Sequence, residues 1–300
     1  MKSEISLKGC FPPIPTPFDA QERVDLDHLA SNLEKWQKTP LRGFAVLGSN
    51  GEAVHLREAE KIEVWKTAGE VIGNDRIFIA GTGCESTMET VELTEKAASL
   101  GAHAALVVTP HYYKARMDRR ALVTHYTTIA DHSPIPVILY NVPAATGLDM
   151  SAEIVIELAG HPGIVGLKES SGNVVKIGQV MGRVKDTFQV LAGSGSFLLP
   201  ALAVGAVGGV MALASVAPHE LNEIVVSFER GDLRKAKETQ LRLIPANAAV
   251  TSQFGIAGLK AALDLIGMYG GPVRPPLLPL EPQQADELKR ILQEANLLQK

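Results

Sequence analysis

The chain is expected to fold as an α/β protein, a (β/α)8 TIM barrel with a C-terminal helical extension, and three observations lead there. Short apolar runs of strand character recur along the sequence. Amphipathic, charge-bearing segments separate them. The strand runs are apolar throughout rather than alternating, as strands covered on both faces are. Strands that alternate with helices imply parallel βαβ units. No Gly-x-Gly-x-x-Gly follows the first strand and the units number eight, which favours a closed barrel over an open doubly wound sheet.

Taken in order, the first strand is placed near Cys10–Pro15, although its prolines weaken ladder pairing. The next runs are Gly43–Leu47, Ile77–Ala80, Ala104–Val108, Pro136–Tyr140, Ile164–Lys168, Phe188–Leu191 and Val207–Met211. Helical segments fall at Arg57–Ile72, Thr87–Leu100, Arg119–Asp131, Ser151–Ala159, Asn173–Val184 and Phe197–Val204. Residues 1–217 are assigned to the barrel. Residues 218–300, charged and helical again, form the extension packed on it as one structural unit, with Pro245 and Gly270-Gly271-Pro272 as its breaks. A charge-free stretch from Thr187 to His219 is long enough for a membrane span. Pro200 and five glycines divide it into strand, turn, helix and strand, so no span is expected.

Composition removes several function classes. In 300 residues, 46% hydrophobic content points to a well-buried globular chain. A formal charge of −4 gives no reason to expect nucleic acid or an anionic membrane as partner. Two cysteines, Cys10 and Cys84, make no disulfide framework, and Met1–Lys8 lacks the apolar core of a signal peptide or the arginines of a transit peptide. The expected location is cytoplasmic. No His-x-x-x-His or Cys/His pairing of ligand spacing occurs, so no metal is expected. His55, His111, His125 and His161 are assigned to surface or loop positions. Cys84 is read as structural, with Ser86 or Thr87 capping the next helix.

In such barrels the chemistry sits where strands end. That rule selects Gly48-Ser49-Asn50-Gly51-Glu52, Thr109-Pro110-His111-Tyr112-Tyr113, Tyr140-Asn141-Val142-Pro143, Lys168-Glu169-Ser170 and Gly193-Ser194-Gly195. A lysine drawn into a barrel mouth loses solvent, which favours the neutral, nucleophilic amine. With a carbonyl substrate it forms an imine, an electron sink for carbon–carbon cleavage or formation. The ordinary alternative is a lysine snorkelling at a strand end, or paired with Glu169. Tyr140 can present its hydroxyl to proton transfer, or be a core aromatic bonded to backbone. The Ser49–Gly51 turn can cradle a carboxylate on backbone N–H groups, or be a plain βα turn with Glu52 as a favourable charge at a helix start.

Together, Gly48-Ser49-Asn50-Gly51-Glu52, Tyr140-Asn141-Val142-Pro143 and Gly166-Leu167-Lys168-Glu169-Ser170 resemble the dihydrodipicolinate synthase/N-acetylneuraminate lyase superfamily, over nearly the whole chain. The resemblance implies a class I, pyruvate-linked aldolase on an eightfold barrel. It implies no cofactor beyond the covalent Schiff base, a small 2-oxo acid as substrate, and a homotetramer built as a dimer of dimers. Carried over by position, it implies Lys168 as the Schiff-base lysine, Tyr140 as the proton shuttle and Ser49 as its relay. Asn50 would hold the pyruvate carboxylate with the turn's amides, and Ser170 and Gly193 would lie against the substrate. Tyr113 would cross into the neighbouring subunit's site.

One departure narrows the reading. Dihydrodipicolinate synthases typically carry an arginine before Thr-Gly in the run after the tyrosine, to bind the aldehyde's carboxylate; here Ala145 stands there. A methyl group supplies no donor fork. The stretches Gly81–Thr87, Ser133–Val137, Pro245–Thr251, Phe254–Lys260 and Tyr269–Pro272 resemble 4-hydroxy-2-oxoglutarate aldolase instead, whose reaction gives pyruvate and glyoxylate. The alternatives are an aldolase or dehydratase of a 2-keto-3-deoxy sugar acid, 4-hydroxy-tetrahydrodipicolinate synthase, and a non-catalytic 2-oxo acid sensor.

Overall fold

The computed structural model describes residues 5–298. Residues 1–4 of the N-terminal stretch read for targeting signals, and residues 299–300, lie outside the described residues. Eight parallel strands make one sheet: β1 (Gly9–Phe11), β2 (Gly43–Val46), β3 (Ile77–Gly81), β4 (Ala104–Val108), β5 (Val137–Asn141), β6 (Ile164–Glu169), β7 (Gln189–Ala192) and β8 (Gly208–Val210). Their hydrogen-bonded order is β1-β8-β7-β6-β5-β4-β3-β2, so β8 returns beside β1. The remaining seam is closed by Ala45 N–H donating to Pro12 O at 2.9 Å and Ile14 N–H to Ala45 O at 3.0 Å. Pro12 and Pro13 have no N–H to donate, so β1 ends at Phe11 and the seam is narrow. The result is the expected TIM barrel.

Around it run α1 (Leu26–Gln37), α2 (Glu58–Ile72), α3 (Thr87–Ser99), α4 (Arg119–His132), the single turn α5 (Pro143–Thr146), α6 (Ala152–Leu158), α7 (Val174–Met181) and α8 (Leu198–Ala203). The C-terminal helices are α9 (Pro218–Glu229), α10 (Leu233–Ala248), α11 (Gly255–Leu265) and α12 (Pro282–Glu294). No helix was expected between the first two strands, yet α1 is there. Asp25 caps it by accepting the His28 N–H, and Leu29, Leu33 and Trp36 bury one face. Pro245, expected as a break, lies inside α10. Burial of Leu243, Ala246 and Asn247 around it outweighs the lost N–H. Ser86 is the cap of α3, as foreseen.

The core has two layers. Phe11, Ala45, Ile79, Leu106, Ile138, Leu191 and Val210 fill the barrel interior. Alternate residues such as Phe44, Phe78, Leu139 and Val190 pack outward against the helices. The charge-free stretch resolves into β7, α8 and β8, and among the described residues no helix is long and apolar enough to cross a membrane.

Candidate active site

Strand register assembles the centre. Tyr140 on β5 pairs with Lys168 on β6, and Asn141 pairs with Glu169. Partners in a parallel ladder share a face and successive residues alternate. Tyr140 belongs to the interior cluster, so Lys168 faces the barrel interior while Asn141 and Glu169 face the helices. Lys168 is 3% exposed, and its Nζ lies 3.9 Å from the centroid of the Tyr140 ring. The Tyr140 hydroxyl is 3.2 Å from Ser49 Oγ. Lysine, phenol and hydroxyl thus form one chain of contacts.

The pairing of Lys168 with Glu169 raised above does not occur. Glu169 points to the outer face, where both oxygens accept from Asn141 Nδ2 at 3.0 Å and Oε1 accepts the Ser171 N–H at 2.7 Å. Its counter-ion is Lys176 Nζ on α7, 3.0 Å away, which also contacts Asp149. Burial opposes ionisation of Asp149, but hydrogen bonds from Lys176 and Asn141 prevail and hold its carboxyl below the ordinary range. This outer network ties the ends of β5 and β6 to α7.

Ser49–Gly51 forms a single 3-10 turn between two non-glycine residues of positive φ, Leu47 at 58° and Glu52 at 52°. Each such residue costs on the order of 1 kcal/mol or more, so surrounding contacts must hold it. They do. Thr16 Oγ1 donates to Gly51 O at 2.6 Å, and Glu52 accepts the Arg274 N–H at 2.9 Å. Glu52 Oε1 lies 2.6 Å from Lys260 Nζ, with both side chains buried. Burial pulls the Lys260 ammonium below its usual range, and Glu52 works against that shift. Glu52 is therefore not a solvated charge at a helix start; it anchors the turn to the chain's C-terminal third. No sequence signal links position 52 with position 260.

The other expected residues divide. Gly193 follows β7 at the same level as Ser170: a Cβ built on Gly193 would lie 1.9 Å from Ser170 Oγ, so only glycine fits this close approach. Ser170 Oγ is buried with no hydrogen-bond partner among the described protein atoms. Asn50 is half-buried on the turn. Tyr113 is 70% exposed and edge-on to Tyr112, at 5.1 Å between ring centroids. Cys84 is half-buried, and desolvation pushes its thiol up to about 11, which makes it a poor nucleophile.

A cavity of about 270 Å³ opens over the Tyr140–Ser49 pair, with Leu47, Val54, Val142, His111 and Ala145 among its walls. Lys168 is not one of its wall residues. His111, expected at a surface or loop position, does lie in the loop after β4 and is also a wall residue; the strand-end rule had selected its segment, and nothing in the sequence showed its orientation. His125, also expected at surface or loop, is buried on α4 with Thr87 Oγ1 2.8 Å from Nδ1. Desolvation lowers its pKa to about 4. Among the described residues no group of three or more His, Cys, Asp or Glu is placed to hold a metal.

Known proteins bear on this centre. The model of the dihydrodipicolinate synthetase family matches residues 6–295. The chain is 35% identical over 294 residues, 98% of its length and 100% of the relative's, to a 4-hydroxy-tetrahydrodipicolinate synthase of Methanococcoides burtonii. It is 36% identical to the enzyme of that name from Methanoculleus marisnigri, over 95% of this chain and 98% of the relative. A crystal structure of dihydrodipicolinate synthase from Aquifex aeolicus superposes with a TM-score of 0.92 at 31% identity, covering 98% of this chain and all of that one. The corresponding figures for a dihydrodipicolinate synthase of Bacillus anthracis are 0.93 and 29%, over 96% and 98%. These relatives carry the name that Ala145 was expected to disfavour, and none of the four is called a 4-hydroxy-2-oxoglutarate aldolase.

Proposed function

The chain belongs to the dihydrodipicolinate synthetase family of pyruvate-dependent, class I Schiff-base lyases, and we propose that Lys168 is its imine-forming lysine. The observation that carries this is the isolation of Lys168: buried, facing inward, against the Tyr140 ring and without a carboxylate partner among the described residues. A lysine not held in an ion pair keeps its amine available, and the neutral amine is the form that attacks a carbonyl.

The neutral amine adds to C2 of a 2-oxo acid whose carboxylate rests on the Ser49–Asn50 turn. The carbinolamine loses water to give the iminium. Tyr140, relayed through Ser49, passes the protons of these steps and takes the proton of the C4 hydroxyl. The C3–C4 bond then breaks, its electron pair neutralises the iminium as an enamine, and the C4 fragment leaves as an aldehyde, its C–O bond now a carbonyl. Protonation at C3 and hydrolysis release pyruvate and regenerate the amine. Ser170 Oγ, buried and unpartnered, is a contact for the bound carbon chain. Tyr113 would complete the relay from an adjacent subunit of a tetramer.

The finer reading is cleavage of 4-hydroxy-2-oxoglutarate to pyruvate and glyoxylate. Ala145 counts against the synthase reading, since this wall of the cavity lacks the guanidinium that a synthase carries there. The names of the relatives favour the second reading, in which the enamine instead condenses with an amino aldehyde to give 4-hydroxy-tetrahydrodipicolinate. Kinship does not by itself fix the substrate, whereas wall chemistry bears on it directly. Steady-state assays of both reactions decide between them. The first reading expects kcat/KM for cleavage of 4-hydroxy-2-oxoglutarate to exceed that for the condensation at least tenfold. The reverse order overturns it.

A further inference from the structure

Ala145 leaves a question that the proposed cleavage makes sharp: 4-hydroxy-2-oxoglutarate carries a second carboxylate at its far end, and something must receive it. Among the described residues Tyr140 and His111 are the only ionisable side chains on the cavity walls, and His111 alone of the two can become positive. Its ring is held from behind. Nδ1 lies 2.9 Å from Glu85 Oε1 and 3.2 Å from Thr109 O, both acceptors, so Nδ1 is the protonated nitrogen. Glu85 is itself fixed, accepting the backbone N–H groups of His111 and Tyr112 at 2.9 Å each. Nε2 has no hydrogen bond to the described protein atoms, so it is the nitrogen left for a ligand.

We propose that His111, positioned by Glu85, binds the distal carboxylate of a dicarboxylic 2-oxo acid and takes the part for which Ala145 has no donor. With both nitrogens protonated, the ring would bridge the Glu85 carboxylate and the substrate carboxylate through two charge-assisted hydrogen bonds. Two other cations lie nearby: Lys61 lines an adjoining cavity that shares His111 as a wall, and Lys114 Nζ lies 3.0 Å from a Cβ built on Gly147, two residues beyond Ala145. Lys114 is exposed, and neither lysine is a wall residue of the cavity over Tyr140 and Ser49. The inference rests on the aldolase reading above and adds to it the group that selects the substrate.

The test compares 4-hydroxy-2-oxoglutarate with its analogue bearing a methyl in place of the distal carboxylate. His111→Gln and Lys114→Ala are assayed beside the parent enzyme, and trapping of pyruvate with borohydride is followed in each. Loss of one charge-assisted hydrogen bond should lower kcat/KM of His111→Gln for the dicarboxylate about tenfold or more, mostly through KM. The methyl analogue should lose threefold at most, with pyruvate still trapped. Equal losses on both substrates, no loss, or a selective loss in Lys114→Ala instead would overturn the assignment of His111 alone. A parent enzyme that traps pyruvate yet does not prefer the dicarboxylate to the methyl analogue overturns the aldolase reading and this inference with it.

Discussion

The two faces of β6 meet buried lysines in opposite circumstances. On the outer face Lys176 contacts Asp149 and Glu169, and Glu169 is further satisfied by Asn141 and Ser171. On the inner face Lys168 is as deeply buried but has an aromatic ring for company. Lys260, the third buried lysine, resembles Lys176 in having a carboxylate, Glu52. Taking an ammonium out of water costs several kcal/mol unless a partner compensates. The outer pair therefore holds structure, while the inner lysine, in no ion pair among the described residues, is left available for chemistry. The face, not the burial, separates the two roles.

The largest effect that probes this contrast is on turnover. Lys168→Met should lower kcat about 10³-fold or more, as removal of a covalent nucleophile does. Its resistance to urea should change little, because the substitution breaks no ion pair among the described residues. Loss of stability comparable to that of the outer-face variant below would collapse the distinction. Tyr140→Phe comes next: it keeps the ring against Lys168 and deletes the hydroxyl that meets Ser49. Turnover should fall about 10²–10⁴-fold, the range for a positioned acid–base group, with stability little altered. On the outer face Lys176→Met should cost about 3–5 kcal/mol in urea unfolding, since it leaves Glu169 buried without its counter-ion.

How much of this was legible in the sequence depends on which residues carried it. Strand runs such as Ala104–Val108 announce themselves, because strands covered on both faces are continuously apolar. The centre was legible for the same reason: Lys168 and Tyr140 interrupt such runs at their ends, where barrel chemistry collects. Pairing between distant segments was not. Glu52 reads as a helix-start charge until the fold brings Lys260 to it, and Glu169 reads as a partner of Lys168 until strand alternation turns it away. α1 was overlooked although Leu29, Leu33 and Trp36 keep helical spacing, and Pro245 was given more weight than the buried face around it.

The smallest effect is on pH dependence, and it involves a buried base away from both lysines. Desolvation lowers the His125 pKa from 6.5 to about 4, with Glu85 opposing the shift. The unfolded chain therefore binds a proton between those values that the folded chain does not. This contribution is fully present above pH 6.5 and is lost as pH falls towards about 4, reaching on the order of 3 kcal/mol. His125→Gln should flatten that part of the profile in urea unfolding at pH 7, 5.5 and 4. An unchanged slope would mean that another group titrates there.

The role of Lys168 is tested most directly by chemical trapping. Incubation of the intact protein with pyruvate and borohydride, followed by proteolysis and peptide mass analysis, should place one reduced adduct on the peptide containing Lys168. Lys176 and Lys260 should remain unmodified. An adduct on either of those lysines, or none on Lys168, would contradict the division between the two faces of β6.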